Sequence, residues 1–219
     1  MATLALIWSG MAYGNKGATT PTVYADIDYG FSTYKSKLLQ SNDTSSSLRY
    51  AVGVYAGRDK TISVAISSDS ASTAFELNSS QYDTTFFDTY IRYHFWYLYF
   101  GAMINSTTMK ATNDSGTVFD LTGSGFGGNF GGRFPFGKGS EVIFNVDSVT
   151  TSEVQEITNT TVSVNPRLLI DIGASFNVTR RLIDFIVGYR MNTYSVTTDS
   201  SYAESLTTTY FGVGFDTVF

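Results

Sequence analysis

The chain has 219 residues, 42% hydrophobic and 16% aromatic, with 3 prolines, no cysteine and a formal net charge of −5. Charged residues are 15% of the total, against roughly 25% in an average soluble protein, and the lack of a basic block argues against nucleic acid as a partner. No run approaches the ~18 apolar residues of a membrane-spanning helix, so contact with lipid would have to be made by apolar residues dispersed at every second position.

Residues 1–14, MATLALIWSGMAYG, are apolar and uncharged. Ala12 and Gly14 are spaced like the small residues of a signal-peptidase site, with Leu4–Trp8 as the hydrophobic core, although the basic start of a secretory signal is missing. The competing reading is a first strand with Leu4, Leu6 and Trp8 on one face. From residue 15 onward the chain reads as one domain.

A clear period of two begins at 22–35. Val23, Ala25, Ile27, Tyr29 and Phe31 alternate with Tyr24, Asp26, Asp28, Gly30 and Ser32, which predicts a strand with one apolar and one polar face. A polar loop is predicted at 36–46. Then Leu48, Tyr50, Val52 and Val54 oppose Arg49, Ala51, Gly53 and Tyr55, and after the turn Arg58–Lys60, Ile62, Val64 and Ile66 oppose Ser63, Ala65, Ser67 and Asp69. A long polar stretch, 70–83, precedes 84–95, where Phe87, Ile91, Tyr93 and Phe95 oppose Phe86, Asp88, Tyr90, Arg92 and His94. A short turn leads into 97–106, with Tyr97, Tyr99, Gly101 and Met103 on the polar side.

The polar loop 107–116 and the Gly-rich, irregular stretch 117–134 follow. In 140–149, Val142, Phe144 and Val146 oppose Glu141, Asn145 and Asp147. After another polar loop, 161–177 alternates as a single strand with Arg167, Asp171 and Gly173 on the polar side, and 182–196 places Asp184, Gly188 and Arg190 opposite Ile183, Phe185, Val187 and Tyr189. The loop 197–205 leads to the terminal strand, where Phe211, Val213, Phe215 and Phe219 share one face with the chain ending on the aromatic.

These strands run longer than the usual 5–6 residues, and short turns alternate with long polar connections. The terminal strand and this alternation resemble the small bacterial outer-membrane β-barrel proteins, an OmpA/OmpX/OmpW-like class with no subfamily identified. The resemblance implies an all-β, closed antiparallel transmembrane barrel with short periplasmic turns and long extracellular loops. Ten strands are counted from residue 20 on, with eight or twelve as alternatives. An even count puts both termini on the periplasmic side and favours the signal reading of residues 1–14. It also implies localisation in the outer membrane of a Gram-negative bacterium. Outer-membrane lipids, lipopolysaccharide and the barrel-assembly machinery are the implied partners, the last reading Phe211, Val213, Phe215 and Phe219, and the protein is expected to be monomeric.

Charges are costly against lipid, roughly 2–4 kcal/mol for a midplane Arg. Asp26, Asp28, Arg49, Asp88, Arg92, Glu141, Asp147, Arg167, Asp171, Asp184 and Arg190 are therefore expected to face the lumen as a network of both signs. This suggests a narrow pore or small-solute conduit. The alternative is a closed barrel acting as a structural protein or a surface-loop adhesin or receptor, and an enzyme is the third reading. Tyr24, Tyr55, Tyr90, Tyr97, Tyr99 and Tyr210 would fill the lumen, whereas Gly30, Gly53, Gly101, Gly173, Gly188, Gly212 and Gly214 would leave it open.

Catalysis finds little support in the residues. The omptin proteases, also ten-stranded barrels, use paired acids and an Asp–His pair; Asp26 and Asp28 are a pair of acids here, but the one histidine, His94, belongs beside a periplasmic turn. The run Gly123-Ser-Gly-Phe-Gly-Gly128 spells a dinucleotide fingerprint without the helix it requires. The loop carboxylates Asp43, Asp69, Asp83, Asp114, Glu153 and Asp199 lack metal-ligand spacing, so neither metal nor cofactor is expected. The Asn-x-Ser/Thr triplets at Asn42, Asn78, Asn105, Asn113, Asn159 and Asn177 are read as chance.

Overall fold

The computed structural model describes residues 22–37, 41–56, 61–75, 80–113, 116–136, 140–151, 154–157, 160–164, 167–179, 183–197 and 201–218. Residues 1–14, read as a signal, and the terminal Phe219 lie outside them.

Each alternating segment becomes a strand: β1 (Thr22–Ser36), β2 (Ser41–Ala56), β3 (Ile62–Phe75), β4 (Ser80–Phe95), β5 (Leu98–Asn113), β6 (Gly116–Pro135), β7 (Ser140–Thr151), β8 (Val154–Ile157), β9 (Thr160–Val164), β10 (Arg167–Thr179), β11 (Ile183–Thr197) and β12 (Ser201–Val218). Neighbours pair antiparallel in the order β10-β7-β6-β5-β4-β3-β2-β1-β12-β11, and a β10–β11 ladder closes the ring. The first and last strands form one of its seams, from Thr22↔Val218 to Ser36↔Glu204. Setting aside the β8–β9 hairpin, the twelve strands leave a closed barrel of ten. Among the described residues the hairpin's ladder to the wall is Val164↔Val196 and Ser163↔Thr197.

The period of two sorts side chains between two environments. Ile27, Phe31, Ile91, Phe100, Ile104, Phe126 and Ile172 point outward and are exposed, whereas Tyr24, Asp28, Tyr90, Arg92 and Arg190 point inward and are buried. An apolar belt running all the way round a closed barrel is far larger than the patches soluble monomers expose, and it marks a lipid-facing surface. Above Phe31, Phe87 and Phe126 the outward positions become Thr33, Thr85 and Ser124. The belt ends there, although the sheet does not.

The polar stretches expected to be loops are therefore mostly sheet. β2 begins at Ser41, β3 continues to Phe75, β5 to Asn113, and β12 begins at Ser201. Thr and Ser lose the apolar half of the alternation but still satisfy a ladder, so the barrel rises beyond the lipid belt as a polar rim. The Gly-rich 117–134 is part of one continuous strand, β6, rather than irregular structure. The segment expected as one strand over 161–177 is divided into β9 and β10. Trp96 makes the β4–β5 turn at φ 56°, a left-handed conformation rare for a side chain of this size, with its ring stacked on Phe95 at 5.3 Å.

Candidate functional site

Strand β4 lines the lumen from the polar rim to the end where β1 begins and β12 ends. Its inward residues are Tyr82, Thr84, Phe86, Asp88, Tyr90, Arg92 and His94, and most of them touch another wall.

At the rim, Tyr82 reaches Tyr194 of β11, the two hydroxyls 3.5 Å apart. β4 and β11 lie five places apart in a ring of ten, so this contact spans the barrel's diameter. Tyr34 stacks on Tyr82 with centroids 4.7 Å apart, accepts a hydrogen bond from Tyr194 at 3.2 Å and donates to Glu204 at 2.5 Å. Four strands thus meet in one aromatic cap.

Below the cap is an ionic layer. Arg167 Nη1 donates to both carboxylate oxygens of Asp88, at 2.8 and 2.9 Å, with its guanidinium 4.2 Å from the centre of the Phe86 ring. Arg190 pairs with Asp28 through two bonds of 3.1 and 2.9 Å, with Asp171 at 3.2 Å and with Asp69 at 3.6 Å. Arg49 stands 3.5 Å from Asp28 and 3.9 Å from Asp171. Arg167 and Arg190 are 1% and 0% exposed, which only multiple charge-assisted bonds make tolerable.

Toward the terminal end, Tyr90 donates to Asp147 at 2.9 Å and Arg92 Nε to Asn129 at 2.6 Å. The Arg92 guanidinium lies over the Tyr90 and Tyr99 rings, at 4.0 and 4.9 Å. Asn129 also donates to Asn145, at 2.7 Å, and to Asp147. The last layer holds Tyr24 against Tyr55 at 4.9 Å, His94 against Ser63 Oγ at 2.7 Å and Arg133 against Glu141 at 3.0 Å.

Gly53, Gly131, Gly173 and Gly188 do not hold a passage open, because tyrosines occupy the space they leave. A Cβ at Gly53 would fall within the Tyr24 ring, one at Gly131 within the Tyr99 ring, and one at Gly188 against the Tyr210 hydroxyl. Tyr210 uses that room to donate to Asp171 at 2.7 Å. Between the ionic layer and the Arg92 layer, Asp26, Arg49, Ala51, Tyr99 and Tyr210 help to enclose a cavity of about 50 Å³, enough for a few waters.

The charges expected in the lumen are thus brought together in several small groups. Asp184 is held by Ser175 and Asn177 at 2.9 and 2.7 Å rather than by an arginine. Tyr97 departs from its expected inward position: it lies in the β4–β5 turn, half-buried, with its ring 5.9 Å from that of outward Phe134. Asp69, counted among the loop carboxylates, is buried against Arg190. Arg133 and Glu204 were not singled out, although Phe130 and Phe134 facing outward already imply an inward Arg133 by parity. Phe211 is exposed on the outer face and Val213 and Phe215 are half-buried there.

The outer membrane protease OmpT from Escherichia coli superposes on this barrel with a TM-score of 0.55 at 10% identity, over 92% of this chain and 97% of that chain. This chain has the fold of the outer-membrane β-barrels. Neisserial surface protein A (NspA) and Ail, the attachment invasion locus protein of Yersinia pestis, align at TM-scores of 0.48 and 0.40 and identities of 14% and 13%. They cover 91% of this chain each, and 97% and 100% of their own. No protein-family model and no curated sequence matches the chain.

Proposed function

We propose that this chain is a closed barrel of a Gram-negative outer membrane, a rigid membrane-embedded stalk whose polar rim is its working surface. The observation that carries this reading is the Tyr82–Tyr194 contact across the full diameter of the lumen. The Arg167–Asp88 and Arg190–Asp69 pairs beneath it join walls four strands apart. Lumen charges that bond directly to one another offer no continuous path to a hydrated solute.

The same geometry favours binding over catalysis. A nucleophile, a base and a group that orients the base must be linked. His94 engages Ser63, but its Nδ1 is buried without a hydrogen-bond partner, so the ring is held by Tyr55 and Tyr99 packing rather than by the carboxylate a triad uses. The belt takes lipid, its upper margin takes lipopolysaccharide, and the barrel stands as a single copy assembled through its last strand.

Solute flux into proteoliposomes tests the reading. Vesicles carrying folded protein, verified by heat-dependent gel mobility, should admit small sugars and salt no faster than protein-free vesicles. Flux that rises with the amount of protein would overturn it.

A further inference from the structure

Where the lipid belt meets the rim, the outer wall of β1–β3 is hollowed. Phe31, Thr33, Thr44, Ser46, Ser72 and Ala74 line an open depression of about 600 Å³ there. Two register rows build it. Phe31 pairs with Ser46 and Ser46 with Ser72, and one step nearer the rim Thr33 pairs with Thr44. The period of two puts all six side chains outside. All but Phe31 are small, so they cover little of the sheet, while Phe31 stands beside them 67% exposed. At the far margin Ser72 Oγ donates to Asp83 at 2.5 Å. Gln81 Nε2 donates to Asp83 at 3.1 Å and to Ser72 at 3.3 Å. Gln81 is exposed and Asp83 half-buried.

We propose that this depression binds a sugar ring at the head of an acylated glycolipid of the membrane's outer leaflet, the chemistry that lipopolysaccharide presents. The site rests on the reading of the rim as the working surface and names what one part of it holds. A sugar ring has C–H faces and a fringe of hydroxyls. The exposed Phe31 ring packs against the first. Ser and Thr hydroxyls, which both donate and accept, match the second, and Asp83 and Gln81 add acceptors and an amide at the margin. Continuity with the belt decides the source. Acyl chains joined to a sugar held here would run down over Ile27, Tyr29 and Leu48, all exposed.

Charge separates the sugar from the other handle such a lipid offers, a phosphate. Among the described residues no Lys or Arg lines the depression, and the connections 38–40 and 76–79 contain none in sequence. Lys35 and Lys37 follow Thr33 along the chain but stand outside the lining. Asp83, at the margin, repels a phosphate. Phosphate recognition relies on Arg or Lys, so the ring and its hydroxyls are what the depression holds.

Lipid retention by the folded full chain in detergent, read by native mass spectrometry, tests this. The probes are an acylated glucosamine disaccharide without phosphates, its phosphorylated form, phosphatidylethanolamine with the same acyl chains, and the disaccharide without acyl chains. The unphosphorylated glycolipid should be retained roughly fivefold or more over phosphatidylethanolamine, as one or two net hydrogen bonds would give, and the phosphorylated form equally well. Phe31→Leu, and separately Thr44→Val with Ser46→Val, should each lower that preference about threefold or more, while heat-dependent gel mobility still reports a folded barrel. No preference over phosphatidylethanolamine, a preference confined to the phosphorylated form, a preference that both variants keep, or equal retention of the chain-free sugar would each overturn the proposal. A silent barrel without the preference refutes this site alone, whereas a leaky barrel refutes the closed-lumen reading whatever the lipids show.

Discussion

Arg190 of β11 and Asp28 of β1 meet through two parallel hydrogen bonds of 3.1 and 2.9 Å across the strand that separates them. The same guanidinium also serves Asp171 and Asp69. One cation thus bridges carboxylates from three strands, with Arg49 beside two of them. The arrangement is asymmetric, and the asymmetry can be measured.

Arg190→Leu removes the cation shared by three carboxylates, leaving Arg49 beside Asp28 and Asp171, and should cost about 3–5 kcal/mol, the range for breaking a buried pair from one side. Asp28→Asn leaves Arg190 with Asp69 and Asp171 and should cost less, roughly 1–3 kcal/mol. Urea unfolding of both variants in lipid vesicles separates them. Equal losses would mean that Arg190 does not coordinate the network.

On the closed-lumen proposal, the cap and the ionic layer are separate barriers. Tyr82→Ala together with Tyr194→Ala removes the cross-diameter contact but leaves Arg167 on Asp88 and Arg190 on Asp28. The double variant should remain impermeable to ions, and conductance should emerge only when Arg167→Ala is added. Steps seen in the double variant alone would show that the aromatic cap is the sole barrier.

Gly188 carries a different liability. Its missing side chain is where the Tyr210 hydroxyl sits on its way to Asp171. Gly188→Val should displace the ring and lower stability by about 1–3 kcal/mol, as overpacking generally does. Gly116, with nothing near its added Cβ, is exposed but has a φ of 118°, so a substitution there probes backbone strain instead and should leave Tyr210 fluorescence unchanged.

Assembly is predicted to depend on Phe219. Phe219→Ser should reduce the amount of heat-modifiable protein reaching the outer membrane without changing refolding into detergent. Unchanged assembly in cells would remove the C-terminal strand from the list of targeting signals.

The alternation was legible in the sequence because lipid outside and a packed polar lumen inside impose opposite chemistry on successive residues. Ile91 and Arg92, adjacent in sequence, are 60% and 7% exposed. The rim was not legible. Once Thr33 or Ser46 replaces Phe31 or Leu48 outside, both faces are polar and the ladder leaves no trace in composition. The open or closed state of the lumen was hidden for another reason. Whether Tyr24 covers Gly53, or Tyr210 covers Gly188, depends on strand register and barrel shear, which no single strand encodes. Arg133 and Glu204 were legible by parity once their strands were extended, since Phe134 and Ser205 beside them face outward.

Single-channel recording of the refolded protein in a planar bilayer tests the central claim most directly. With insertion verified by heat-dependent gel mobility, a lumen crossed by Tyr82–Tyr194, Arg167–Asp88 and Arg190–Asp69 should pass no discrete current steps at any salt gradient. Reproducible unitary steps from folded, unmodified protein would contradict it, and their reversal potential would then identify which of these charged groups lines an open path.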